Sequence, residues 1–338
     1  MKDSEELREQ LNETSFAHTV GVGVVRGLRT FAWLMMIMIP FSLLVTLLQY
    51  AGVVALIASV LEAPFRAIGL PGSAALVLVT SLTLSLYPAI GVMTGLGLTV
   101  RSMTILALVC LIAHNYFVEL AVTRRTGTPV VRMFLVRTLA AFLAGGLLHL
   151  LLPETGSWVE SVGPALAGGA SSLDAESVGE LIYLWGFESL RLAGRVLLIV
   201  TGLMTSVAVL ERYGISRRIA ARLGAVMELF GLSRNVAFLW VVSNTLGLAY
   251  GAGVLVCEVD SGRVSPEEGD LLNHHLGISH SLLEDTLLFV ALGVPALAIT
   301  LPRLLLAALA VWERRWEQRL GVATVSVTAT AGRPTEGE

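Results

Sequence analysis

The chain has 338 residues, 55% of them hydrophobic and 14% charged, with a formal net charge of −3. Soluble domains carry about 25% charged residues, so composition alone describes a membrane protein, and the 33 glycines fit membrane helices. Lys2 is the only lysine and no dense basic patch exists, which argues against nucleic acid as a partner; Cys110 and Cys257 lack C-x-x-C spacing and support neither a disulfide framework nor a zinc site.

In chain order, residues 1–24 lack the basic region and apolar core of a signal peptide and read as a cytoplasmic N-terminal arm. Apolar runs follow at 30–49, 73–98, 103–123 and 130–152. A lysine- and arginine-free acidic linker covers 153–189, and further runs fall at 192–210, 235–257, 271–292 and 295–312 before a cytoplasmic tail at 313–338. Several runs reach the roughly 20 residues that span a bilayer. The shorter pieces 53–65 and 215–230 read as helices too short or too charged for a routine span.

The two halves repeat. Residues 65–91 match 227–253 without a gap, pairing Gly69 with Gly231, Thr83 with Thr245 and Gly91 with Gly253; the same register pairs Arg29 with Arg191 and Gly52 with Gly214. After a four-residue insertion, His114 falls on His280, Glu119 on Asp285, Gly127 on Gly293, Pro129 on Pro295 and Arg137 on Arg303. Arginine distribution sets the expected sidedness. The linker is predicted outside, 211–234 inside, the acidic stretch 257–270 outside and the arginine-rich 314–319 inside. The halves, 25–152 and 190–312, then cross in opposite senses. The predicted fold is an all-α polytopic membrane protein of two tandem inverted-topology repeats with interrupted or re-entrant helices. Arg101, Arg124 and Arg125 place both ends of 103–123 on one side, so that segment and 271–292 are expected to be broken or re-entrant hairpins, with an ordinary span there as the alternative.

Polar groups in these runs are the candidate binding residues. His114, Asn115 and Glu119 interrupt an apolar stretch. On an unbroken helix His114 and Glu119 diverge by about 140°, whereas a re-entrant turn lets both face one cavity; a water-facing Glu119 at a helix end is the alternative. His280, Glu284 and Asp285 are the second copy. His280 and Glu284, four apart, are the candidate metal pair, with a hydrogen-bonded structural pair as the alternative; His274 and His275 read as interfacial. Arg137 and Arg303 fall inside apolar runs, where pairing with a carboxylate, receiving an anion or snorkelling are the options. Ser85, Tyr87 and Asn244 complete the set, on two runs interrupted by glycine or, at Pro88, by proline.

The stretch "GLPGSAALVLVTSLTLSLYPAIGVMTGL", with "LIAHNYFVEL" and "RTGTPVVRMFLVRTLAA", resembles the nucleoside-recognition or Gate domain of spore maturation proteins, YjiH-like inner-membrane proteins and ferrous-iron permeases. The marks are Gly69, Pro88, Gly91, His114, Glu119, Gly127 and Pro129, then Gly231, Asn244, Gly253, His280, Gly293 and Pro295. The second copy departs by carrying Ala249-Tyr250 where the first has Tyr87-Pro88. No G-x-x-x-x-G-K-[ST] motif is present, which excludes a complete iron permease. The resemblance implies a multi-pass inner-membrane permease, not an enzyme and without a cofactor. It would handle a small polar solute, such as a nucleoside or an anion, at the repeat interface, with membrane lipid around it and homo-oligomers permitted. A non-transport scaffold or accessory subunit is the alternative.

Overall fold

The computed structural model describes residues 2–155, 177–245, 254–259 and 261–320, with side chains from residue 16 onward except Ser216 and Arg217. These residues are helical throughout, with no strand among them: α1 (Lys2–Tyr50), α2 (Val53–Arg66), α3 (Ala74–Thr83), α4 (Leu86–Thr94), α5 (Val100–Ile112), α6 (Tyr116–Arg125), α7 (Val130–Leu151), α8 (Val178–Arg212), α9 (Ile215–Arg222), α10 (Gly224–Leu229), α11 (Ala237–Thr245), α12 (254–259), α13 (Pro266–Ser279), α14 (Glu284–Ala291) and α15 (Ala296–Arg319). Among the described residues, five stretches are long and apolar enough to cross a membrane: Phe16–Tyr50, Val100–Arg125, Val130–Leu151, Val178–Arg212 and Ala296–Arg319. Residue 24 lies inside α1 and residue 189 inside α8. Most of the acidic linker, and Ala249, Tyr250 and Gly253, lie outside the described residues.

Helices α1 and α8 pair antiparallel, with Arg26 on Glu211 and Arg212 on Thr19. Their approach depends on Gly23 and Gly27. A Cβ at Gly23 would lie 2.5 Å from the Thr205 Cα, and one at Gly27 2.6 Å from the Thr201 Cα. This small-xxx-small contact suits a medium where close van der Waals packing, rather than water exclusion, drives helix association.

Helix α5 is the apolar centre: every side chain from Met103 to Ile112 is buried. A helix apolar all round can sit only inside a bundle or in lipid. Helix α13 is buried just as fully from Gly269 to Ser279, yet it carries Asp270, Asn273, His274 and His275. Ser265 and Pro266 start it with a capping box to Glu268.

Contacts at the helix ends fix the directions of travel. Arg101, opening α5, donates to the His149 carbonyl in the last turn of α7 at 2.7 Å and lies 3.6 Å from Glu154. Thr126 and Thr128, closing α6, adjoin the start of α7 and touch Asn273 and Asp270. The 22 residues of α7 separate these ends by about 33 Å at ~1.5 Å per residue. The α5–α6 segment therefore crosses as a broken span, and the re-entrant expectation for 103–123 is corrected. Arg101 mimicked a cytoplasmic flank, but its charge is met by His149 and Glu154 at the opposite end. Asp270 contacts Arg314, and Arg303 reaches back to His280, so α13 and α15 also run antiparallel.

The α5–α6 and α13–α14 segments run in opposite senses, as do α7 and α15. The stretch 257–270 was expected on the side opposite the arginines. Its end instead lies with Thr128 and Arg314. Acidic residues weigh little in orientation, and here they find partners. Glu258 takes both forks of the Arg263 guanidinium, at 2.6 and 2.8 Å, which holds its carboxyl below the usual carboxylate range.

Candidate functional site

Three helix breaks converge at mid-bundle. The first separates α3 from α4 at Leu84 and the extended Ser85. Pro88 does not cause it. It sits in the first turn of α4, where a missing N–H forfeits no helical bond. The second break turns through Asn115, in the left-handed region at φ 48°, and the third through Ser281 at φ 52°. Left-handed backbone at a residue with a side chain is uncommon and persists only where surroundings impose it. The imposing contacts correspond: Asn115 N–H donates to the Ser81 carbonyl at 2.8 Å, and Ser281 N–H to the Ser243 carbonyl at 3.1 Å.

Each break is also held by a buried arginine. Arg137 Nε donates to the Ile112 carbonyl at 2.9 Å and Nη2 to the His114 carbonyl at 3.0 Å. Arg303 does the same for Ile278, at 3.1 Å, and for His280. Both guanidiniums are 0% exposed, so neither snorkels. Each satisfies carbonyls that its broken helix frees. Arg137 Nη1 also forms an ion pair with Glu119 Oε2 at 2.5 Å, and Arg303 Nη1 has no hydrogen-bond partner among the described residues.

The breaks bring His114, Glu119 and His280 together. Glu119 Oε1 lies 3.1 Å from His114 Nε2 and 3.3 Å from His280 Nε2, and the two Nε2 atoms are 3.2 Å apart. Helical spacing would have kept His114 and Glu119 apart; the turn at Ala113–Asn115 removes that obstacle, and Glu119 is buried rather than facing water. The His280–Glu284 pairing is not formed, because the helix stops at Ser279 and restarts at Glu284. Glu284 Oε1 instead accepts from the Tyr87 hydroxyl at 3.3 Å.

A cavity of about 730 Å³ opens onto this centre. Ser85, Tyr87, His114, Asn115, Glu119, His280, Glu284 and Asp285 all line it, while Arg137 and Arg303 stand behind the wall and hold its backbone. Asn244 does not line it. Its side chain caps the Trp240 carbonyl at 2.8 Å, and its own carbonyl takes the Leu283 N–H at 3.1 Å, so it shapes the third break. Sequence reasoning missed Arg29, Thr30 and Trp33 of α1, which complete the wall. Trp33 meets Tyr87 edge-on, with ring centroids 5.2 Å apart. Arg29 had a sequence signal in its repeat partner Arg191, but nothing linked it to the polar runs.

A second polar centre was also missed. Asp270 accepts from Thr128 at 2.8 Å, Arg314 at 2.6 Å and Gln318 at 3.2 Å. Arg132 Nε donates to His274 Nε2 at 2.8 Å and pairs with Glu313 and Glu317 at 2.7 and 2.8 Å. His274 and His275, expected at the interface, are both 0% exposed: Asp270 and Arg132 satisfy the first, Trp240 and Ser279 bond the second.

Long apolar helices enclosing a charged, buried cavity define a multi-pass α-helical membrane protein. The chain is 30% identical over 287 residues to the uncharacterized membrane protein YvoD of Bacillus subtilis (strain 168), covering 85% of this chain and 91% of that relative. It belongs to the same membrane-protein family. No family model and no solved structure matches the chain.

Proposed function

We propose that this protein is a permease that binds a small polar solute between two inverted Gate-like repeats and passes it across the membrane. The carrying observation is the cavity of about 730 Å³ at three helix breaks, lined by groups that are costly at bilayer depth. Its size suits a small-molecule site, and broken helices meeting at the centre of inverted halves are the usual site of a secondary transporter.

The repeat reading draws support from equivalent backbone. Gly52 and Gly214, Gly69 and Gly231, Gly127 and Gly293, and Asn115 and Ser281 all take positive φ at corresponding positions. The paired arginine contacts and opposed helix directions agree with it. Glu284 and Asp285 share the cavity wall with Arg29, Arg303 stands behind it, and Arg137 pairs with Glu119, so acidic and basic groups both surround the site. The Trp33 and Tyr87 rings offer the aromatic surface that a nucleoside base would use.

The test is a thermal-stabilisation screen of the detergent-purified protein against nucleosides and other small polar solutes. Specific stabilisation that weakens in Trp33→Ala supports the reading. A flat screen from folded protein would favour the scaffold role instead.

A further inference from the structure

We propose that His114, His280 and Glu119 form a binding site for a divalent transition-metal ion, Zn²⁺ by preference, that ties the two helix breaks together. The imidazole protons decide which ring nitrogens are free to bind. His114 Nδ1 lies 2.9 Å from the Cys110 carbonyl and His280 Nδ1 lies 2.8 Å from the Leu276 carbonyl. A carbonyl only accepts, so both Nδ1 atoms carry the proton, and each neutral ring presents an Nε2 lone pair.

Those two lone pairs and Glu119 Oε1 face one another at 3.1, 3.2 and 3.3 Å. Three acceptors in a buried triangle repel unless something positive lies among them. One proton bridges a single edge of the triangle and leaves the third acceptor unmet; a cation satisfies all three. The fixed tautomer is also how ligating histidines are held elsewhere, with the non-ligating nitrogen donating to a backbone carbonyl.

The distances favour a metal of tetrahedral habit. Bonds of ~2.05 Å to nitrogen and oxygen give ligand–ligand edges of about 3.3 Å in a tetrahedron and about 2.9 Å in an octahedron, and the observed edges centre on 3.2 Å, nearer the first. Such an ion sits roughly 0.9 Å out of the ligand plane and keeps a fourth position for water or solute. Arg137, 2.5 Å from Glu119 Oε2, holds the carboxylate from behind and leaves Oε1 for the ion. Glu284 and Asp285 on the same cavity wall offset the charge the ion brings. This goes beyond the transport reading, and ion binding is measured without any solute, so either idea fails without the other.

The experiment uses the full chain, purified on a histidine-free tag, stripped with a chelator and titrated with Zn²⁺ and with Co²⁺. The expected result is one ion per chain, thermal stabilisation, and the intense visible bands of four-coordinate Co²⁺. His114→Ala and His280→Ala, singly and together, should weaken binding by more than the ~10–100-fold that outer-shell partners cost. The exposed His18→Ala should bind as wild type. Glu119→Gln endangers folding by orphaning Arg137, so the histidine variants, checked for a monodisperse profile, carry the test. Absence of binding by folded wild-type protein, equal binding by the double histidine variant, or only weak octahedral Co²⁺ bands would each overturn the proposal.

Discussion

His274 and His280 lie six residues apart and make the same first hydrogen bond, each giving Nδ1–H to the carbonyl four residues back. Their other nitrogens differ. His274 Nε2 accepts from Arg132, inside a network where Asp270 is also met by Arg314. His280 Nε2 meets a second lone pair and a carboxylate oxygen. One centre closes its own hydrogen bonds and joins the two halves through Thr128, Asp270 and Arg314. The other leaves its acceptors turned inward beside a cavity. Buried polar groups with complete partners are structural, and those left incomplete are where a ligand belongs.

Substitutions at the two centres should therefore differ in kind. The largest loss is expected for Asp270→Ala, which takes the acceptor from Thr128 and Gln318 and leaves the buried Arg314 guanidinium with Glu317 alone; it should destabilise the fold by about 3 kcal/mol, read as a lower unfolding midpoint in detergent. His274→Phe keeps the ring volume but removes the acceptor of Arg132 Nε, costing about 1–3 kcal/mol in the same assay. Tyr87→Phe removes one hydroxyl from Glu284, a loss of about 0.5–1.5 kcal/mol, and should show mainly as weaker solute stabilisation. His280→Gln in ion-free protein should change stability least, by about 1 kcal/mol or less, because it removes a lone-pair clash along with its contacts. A His280→Gln effect as large as that of Asp270→Ala would erase the distinction.

Much of the fold was legible in the chain. Apolar runs marked the long helices, and the spacing of His114 with His280 and Arg137 with Arg303 identified the groups that surround the breaks. Eight of the eleven candidate binding residues line one cavity. Spacing rules failed where they assumed an unbroken helix. They separated His114 from Glu119 and joined His280 to Glu284, and the turns at Asn115 and Ser281 reverse both results. Charge counting failed at Arg101 and at 257–270, because an arginine met by a carbonyl and a carboxylate, or an aspartate met by an arginine, no longer reports a water-facing flank. The Asp270 network was illegible for a related reason. Its members sit at the ends of apolar runs, where polar residues read as loop, and only the packing of α7, α13 and α15 brings them together.

The central claim is that the cavity beside His114, Glu119 and His280 is a solute site reached from water. The direct measurement is labelling of Ser85→Cys in a Cys257→Ser background, where the remaining Cys110 is buried, with a membrane-impermeant thiol reagent applied to each face of sealed vesicles. Ser85→Cys should be labelled, and a stabilising solute should slow the reaction. A folded protein that resists labelling from both faces would contradict it.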